Sequence, residues 1–235
     1  MNEEGFRPYA PGSQPPLDVP GYLNTARRFP RLEPVVLPGG HSNTEISGPR
    51  FLPTVYPASA DLSRTRGRVA MGERIIVAGR VVDEDGRAQP GVMIELWQAN
   101  ASGRYAHPGD THDAPLDAGF DGFGRVFSGD DGGYGFTTVK PGAYPWPNHR
   151  NAWRPQHIHF SLFGAGFAQR LVTQMYFPGD PLLALDPIFL SVPDASARGR
   201  LVASFDLGVT RAEFGLGYRF DIVLRGRGAT PFEGA

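Results

Sequence analysis

Apolar residues along this chain come in short runs broken by glycine, proline and aspartate, a spacing that predicts strands and turns rather than long helices. Ile75–Val82 is a β-branched run, and Asp83-Glu84-Asp85-Gly86 after it reads as a turn. Gly91–Trp97 is a second strand, and a long excursion rich in Gly, Asp and His follows over 99–125. Arg125–Phe127 and Tyr134–Val139 read as strands either side of the turn Asp130-Asp131-Gly132-Gly133. His157–Phe163, Arg170–Tyr176 and Gly217–Arg225 complete the set, and Asp194–Phe205 has the composition of one helix. Short strands with glycine turns predict an all-β antiparallel sandwich with long loops.

Before this region the character differs. Residues 1–74 are rich in Pro, Gly and Arg and show little periodicity, apart from a possible helical turn at Tyr22–Arg28 and an ordered stretch at Val35–Leu37. Tyr9, Tyr22, Phe29, Phe51 and Tyr56 carry too much apolar area for a solvated tail. We expect an extended N-terminal arm over 1–74, packed on a surface such as a partner's, and a folded domain over 75–235.

Composition narrows the chemistry. With 40% hydrophobic residues in 235, a substantial core is available. The formal net charge of -1 gives no electrostatic case for nucleic acid or a membrane surface. The absence of cysteine removes disulfides, thiolate metal sites and thiol nucleophiles. The first residues are acidic without an apolar core, and no stretch is long and apolar enough to span a bilayer, so a cytoplasmic location is expected.

The sharpest chemical feature is His157-Ile158-His159. Residues i and i+2 of a strand share a face, so the imidazoles converge while Ile158 points the other way. The pair fits metal ligation and also fits ordinary hydrogen-bonded histidines. No acid follows at short range, as an iron(II) carboxylate site would want, and zinc would need a distant ligand. Tyrosines are nearby: Tyr144 lies in the loop before the histidine strand and Tyr105 in the long excursion. A phenolate is a hard donor suited to a trivalent ion, and only strong local positive charge keeps it ionised at neutral pH. His41, His107, His112 and His149 are read as solvated or structural, and Gly129–Gly135 as a turn lacking the lysine of a phosphate loop.

Several segments together resemble a known family. They are Gly72–Val82, Leu96–Asn100 with Gly103-Arg104-Tyr105, Lys140–Trp146, Trp153–Phe160, Gln174–Pro181 and Tyr218–Gly226. The chain resembles the intradiol ring-cleaving dioxygenases, and among them the iron-bearing β subunits that act on protocatechuate. The resemblance runs from about Gly72 to about Glu233 and is weaker in the arm. It implies one Fe(III) per chain, held by Tyr105, Tyr144, His157 and His159, with Tyr144 the ligand that substrate displaces. It assigns Arg154 to charge stabilisation beside the substrate ring and Gln174 to a place near the reacting oxygens. Tyr22, Trp146 and Ile188 match pocket residues, with the Tyr22 hydroxyl holding a substrate carboxylate. The implied reaction opens protocatechuate with O2 to 3-carboxy-cis,cis-muconate. The implied partner is a homologous α subunit without iron ligands, in α-β units that assemble further. Competing readings are a catechol or hydroxyquinol enzyme, whose helical N-terminal domain is not evident over 1–74, and a non-catalytic transthyretin-like binding module.

Overall fold

A computed structural model describes residues 8–16, 18–23, 32, 53–164 and 170–233. The stretch Val35–Leu37, most of Tyr22–Arg28, and Phe29, His41 and Phe51 lie outside the described residues. In chain order the strands are β1 Arg64–Thr65, β2 Arg68–Val69, β3 Arg74–Val82, β4 Met93–Trp97, β5 Phe123–Phe127, β6 Gly133–Val139, β7 Tyr144–Pro145, β8 Trp153–Arg154, β9 His157–Phe163 and β10 Arg170–Tyr176. A 3-10 turn at Pro181–Ala184 and short helices α1 Pro187–Leu190 and α2 Ala195–Gly199 precede β11 Ser204–Phe205, β12 Leu216–Arg219 and β13 Ile222–Val223.

Two sheets stack face to face. One has the order β10-β9-β4-β5, every neighbour antiparallel. The other is built on β3, which pairs antiparallel with β6 and parallel with β12 and β13. The second sheet is therefore mixed, where an antiparallel one was expected. Between the sheets lies a core that includes Ile75, Val77, Val81, Ile94, Leu96, Phe136, Ile158, Phe160, Phe220 and Ile222. The alternation on β3 has the physical cause read from the sequence: Ile75, Val77 and Val81 point inward and are fully buried, while Arg80 faces solvent.

Three expectations need correction. The helix expected over Asp194–Phe205 stops at Gly199: Asp194 caps it by accepting from Ala197 N at 2.7 Å. Beyond Gly199 the edge of β10 captures the chain, with Tyr176 N donating to Leu201 O at 2.8 Å and Ala203 N to Tyr176 O at 2.9 Å. Among the described residues there are two short helices rather than one, α1 being announced by Asp186-Pro187, a capping aspartate before a proline at the first helical position. The strand expected over Gly217–Arg225 is broken into β12 and β13, because the Asp221 carboxylate accepts from Arg80 N at 2.8 Å and the Tyr134 hydroxyl donates to Phe220 O.

The sandwich begins ahead of residue 75. Ser59 bridges to Arg125 and Asp61 to Thr137, and Leu62 and Ala70 belong to the core. Farther back, the described part of the arm lies on its own domain. Gly12 O accepts from Asp194 N at 2.9 Å, Leu23 N donates to Asn148 Oδ1 at 2.6 Å and Asn148 Nδ2 donates to Gly21 O at 2.8 Å. Among the described residues no helix is long and apolar enough to cross a membrane.

Candidate metal centre

The histidine strand supplies the floor of the site. β9 is the second strand of its sheet, paired along both edges by β10 and β4, and His157 and His159 are buried. Register fixes their neighbours. Across β10, Tyr176 faces His157 and Gln174 faces His159; across β4, Trp97 faces His159. The Trp97 ring stacks on His159 at 4.7 Å with 6° between planes, and the two imidazoles stand 4.8 Å apart, edge to face.

Each imidazole has one nitrogen engaged from behind. His157 Nδ1 lies 2.6 Å from Pro155 O, which assigns the proton to Nδ1 and leaves a lone pair on Nε2. His159 Nδ1 lies 3.2 Å from Glu233 Oε2, a carboxylate that accepts its proton's hydrogen bond and turns Nε2 away from it. Burial, then the charge of Arg154 and the proximity of His159, holds the His157 pKa well below its ordinary value. It is therefore neutral and ready to donate to a cation.

The tyrosines arrive from two loops that touch. Asn100 organises the first: its Oδ1 accepts from Ser102 N and Arg104 N, both at 2.9 Å, and its Nδ2 donates to Pro115 O at 2.9 Å. Close approach of the loops requires glycine at two places. A Cβ on Gly103, where φ is +79, would stand 2.3 Å from Ala143 O, and one on Gly142 would stand 2.5 Å from Ala101 O. The result is Tyr105 packed edge to face on Tyr144 with ring centroids 5.4 Å apart. The Tyr144 hydroxyl lies 3.3 Å from His157 Nε2, and the Tyr105 ring lies 6.5 Å from that of His159. The buried Tyr105 hydroxyl lies against that of Tyr144 and makes no hydrogen bond of standard geometry.

These four side chains bring two imidazoles and two phenols into one cluster. Burial pushes the Tyr105 pKa well above its ordinary value, with Tyr144 adding to the effect; burial also raises Tyr144, against the opposing charge of Arg154. Ionising both phenols here takes a local cation of high charge. No three of His, Cys, Asp and Glu gather as a metal site among the described residues, so a larger protein donor set at the histidine pair draws on the tyrosine oxygens. Two imidazoles and two phenol oxygens, which are hard donors, fit iron(III).

Behind the donors lies a buried polar network. β8 places Arg154 directly opposite Tyr144 in β7. Arg154 donates to Asp186 from Nε at 3.1 Å and from Nη2 at 3.3 Å, and to Gln174 Oε1 from Nη2 at 2.5 Å. The Tyr176 hydroxyl donates to Gln174 Oε1 at 2.8 Å. Burial opposes the Arg154 charge, but Tyr176 and Asp186 outweigh it and raise the pKa further, so the guanidinium is permanently charged. Gln174 Nε2 is buried and reaches towards Glu233 without a hydrogen bond of standard geometry. Trp146 packs under the guanidinium at 5.4 Å, and the Tyr22 ring leans on Trp146 at 5.3 Å. Ile188 is buried in α1, two residues after Asp186.

All the site residues expected from the sequence thus lie in or beside one cluster. His107 and His149 stay in exposed loops, and His112 in a half-buried one. Sequence reasoning missed Trp97, Tyr176, Asp186 and Glu233 as members of the cluster. Tyr176 was accessible through strand alternation from Gln174, and Asp186 through its capping signature. Glu233 carried no local signal, since it reaches His159 across 74 positions.

Comparison with known proteins places the chain. A family model described as Dioxygenase matches residues 46–226. Over 179 residues, 75% of this chain and 76% of the other, it is 59% identical to the protocatechuate 3,4-dioxygenase beta chain of Burkholderia cepacia. It is 31% identical to the hydroxyquinol 1,2-dioxygenase of Rhizobium sp. (strain MTP-10005), covering 65% of this chain but only 53% of that protein. Among solved structures it resembles the dioxygenase domain of a dioxygenase and carbohydrate-binding fusion from Streptomyces sp. SirexAA-E, with TM-score 0.51, 28% identity, and coverage of 77% of this chain and 95% of that one. A second likeness, of fold alone, is to the hydroxyquinol 1,2-dioxygenase of Pseudomonas putida DLL-E4, with TM-score 0.53, 24% identity, and coverage of 75% and 60%. The chain belongs to the intradiol ring-cleaving dioxygenase family.

Proposed function

We propose that this chain is the iron-bearing β subunit of a protocatechuate 3,4-dioxygenase, opening protocatechuate with O2 to 3-carboxy-cis,cis-muconate. The observation that carries the reading is the convergence of Tyr105, Tyr144, His157 and His159 beside a buried, charged Arg154. Identity of 59% with a protocatechuate beta chain, against 31% with a hydroxyquinol enzyme roughly twice the matched length, favours the carboxylated substrate. Members of the family generally depend on iron(III). One iron per chain would be held by the four donors, and when bound it supplies Lewis acidity toward a catechol's oxygens and activates the ring for O2.

The chain's own residues do the rest. Tyr144 Oη would accept a proton from a substrate hydroxyl, beside Arg154, its cross-strand partner. Arg154 stabilises negative charge as it develops on the ring, a contribution that grows toward the transition state. Its buried anchors Asp186 and Gln174 keep the guanidinium from reorienting. Gln174 Nε2, which reaches towards Glu233 without a hydrogen bond of standard geometry, is the donor available to the reacting oxygens. Trp146 and Ile188 line the ring's pocket, and the Tyr22 hydroxyl holds the substrate carboxylate. The bond between the two hydroxylated carbons breaks, and both atoms of O2 enter the product.

Alpha-chain relatives exist at 32% and 33% identity, which supports assembly with a homologous α subunit into larger α-β oligomers. The arm residues before the sandwich would contribute to that contact. The test is to co-express the chain with a candidate α subunit and follow iron content, colour and oxygen uptake. We expect a reddish protein with stoichiometric iron that consumes O2 with protocatechuate far faster than with catechol. A colourless protein, or one without iron, overturns the reading.

A further inference from the structure

The site has an asymmetry that its proposed chemistry does not use. His157 is steadied by a backbone carbonyl in its own strand entry, whereas His159 is steadied by a carboxylate from a distant segment. We propose that Glu233 is a positioning residue for His159, and that residues 8–16 act as a latch that holds Glu233 in place. The inference rests on His159 being a metal ligand.

The segment around Glu233 is fixed at several points. Glu233 N donates to Val172 O at 2.8 Å and Thr173 Oγ1 donates to Pro231 O at 2.7 Å, which ties the segment to β10. The latch closes over it from the other side. Phe232 N donates to Gln14 Oε1 at 2.8 Å, and the Tyr9 ring meets Phe232 edge to face at 6.2 Å. Residues separated by 218 positions are thereby joined one residue away from the carboxylate.

The physical effect follows from the hydrogen bond. A carboxylate accepting from Nδ1–H fixes the tautomer and makes Nε2 a stronger donor toward a cation. The ring's orientation has a second support in the Trp97 stack. Removing Glu233 therefore leaves His159 in place and weakens its donation. Loss of such a partner costs about 10–100-fold in metal affinity.

The experiment uses the full chain, iron-loaded and with its α partner where assembly requires one. Iron release to a competing chelator and the position of the visible absorption band are compared for the parent, Glu233→Gln, Glu233→Ala and Gln14→Ala, with thermal melting measured alongside. We expect Glu233→Ala to release iron about 10–100-fold faster with a shifted band. Glu233→Gln, which keeps the acceptor and loses the charge, falls between, and Gln14→Ala shows a smaller change in the same direction. Parent-like release and an unshifted band in Glu233→Ala overturn the proposal, as does a lowered melting temperature alone, which makes Glu233 a tether. A parent that holds no iron refutes the metal reading instead, so the two failures are distinguishable.

Discussion

Tyr105 and Tyr144 occupy opposite sides of the same cluster and are held in different ways. Tyr105 sits in a loop pinned by its neighbours: its N donates to Asp110 Oδ2 at 2.8 Å, while the Arg104 side chain donates to the carbonyls of His112, Ala114 and Asp110. Tyr144 sits on a two-residue strand against Arg154, in contact with His157 and one residue short of the Pro145-Trp146 corner. Burial raises both phenols and Arg154 opposes it at both, but Tyr105 is raised more strongly, because Tyr144 adds to burial there whereas Tyr105 works against it at Tyr144. On the proposed reading, one phenol would serve as a fixed donor, and the other as a donor with an alternative state beside a permanent cation.

The largest effect tests that division directly. Tyr105→Phe should abolish iron binding and colour and take activity to background, because the fixed donor has no replacement. Tyr144→Phe should keep most of its iron, held by three donors, and lose turnover by roughly 10²–10⁴-fold, the range expected when a proton acceptor is removed. Iron content per chain and oxygen uptake separate the two. Equal loss of iron from both variants would mean that the phenols are equivalent and the comparison is wrong.

A smaller effect is expected at the cation that distinguishes the phenols. Arg154→Ala should lower kcat by about 10²–10³-fold, with iron content unchanged. It also strands the fully buried Asp186, a loss worth about 3–5 kcal/mol when one partner of a buried pair is removed. Adding Asp186→Asn should restore most of the melting temperature without restoring kcat. A double variant that recovers turnover would reduce Arg154 to a structural role.

How much was legible differs between these regions for physical reasons. Strand alternation is a local rule, so His157 and His159 could be paired on one face from three residues, and the bounds of β9 and β10 follow from the same rule. The meeting of Tyr105 with Tyr144 is not local. It depends on loops closing through Gly103 and Gly142, and the sequence indicated it only through family resemblance. The Arg154 network needed both strand register and the cap of α1, and Asp186 became visible only when those were assembled. The overlong helix shows the opposite limit, where good local composition yields to capture of the chain by Tyr176 at a sheet edge.

The smallest effect probes the outer rim on the Tyr144 side. Tyr22 leans on Trp146, which in turn underlies Arg154, so on the proposed reading it would meet the substrate from the outer rim. Tyr22→Phe keeps the ring contact and removes only the hydroxyl. One hydrogen bond is worth about 0.5–1.5 kcal/mol net, so KM for protocatechuate should rise roughly 2–10-fold at unchanged iron content. KM for catechol, which has no carboxylate to hold, should not move. If both constants rise together, Tyr22 shapes the pocket by packing alone, and the discrimination between carboxylated and plain catechols lies elsewhere on the Tyr144 side.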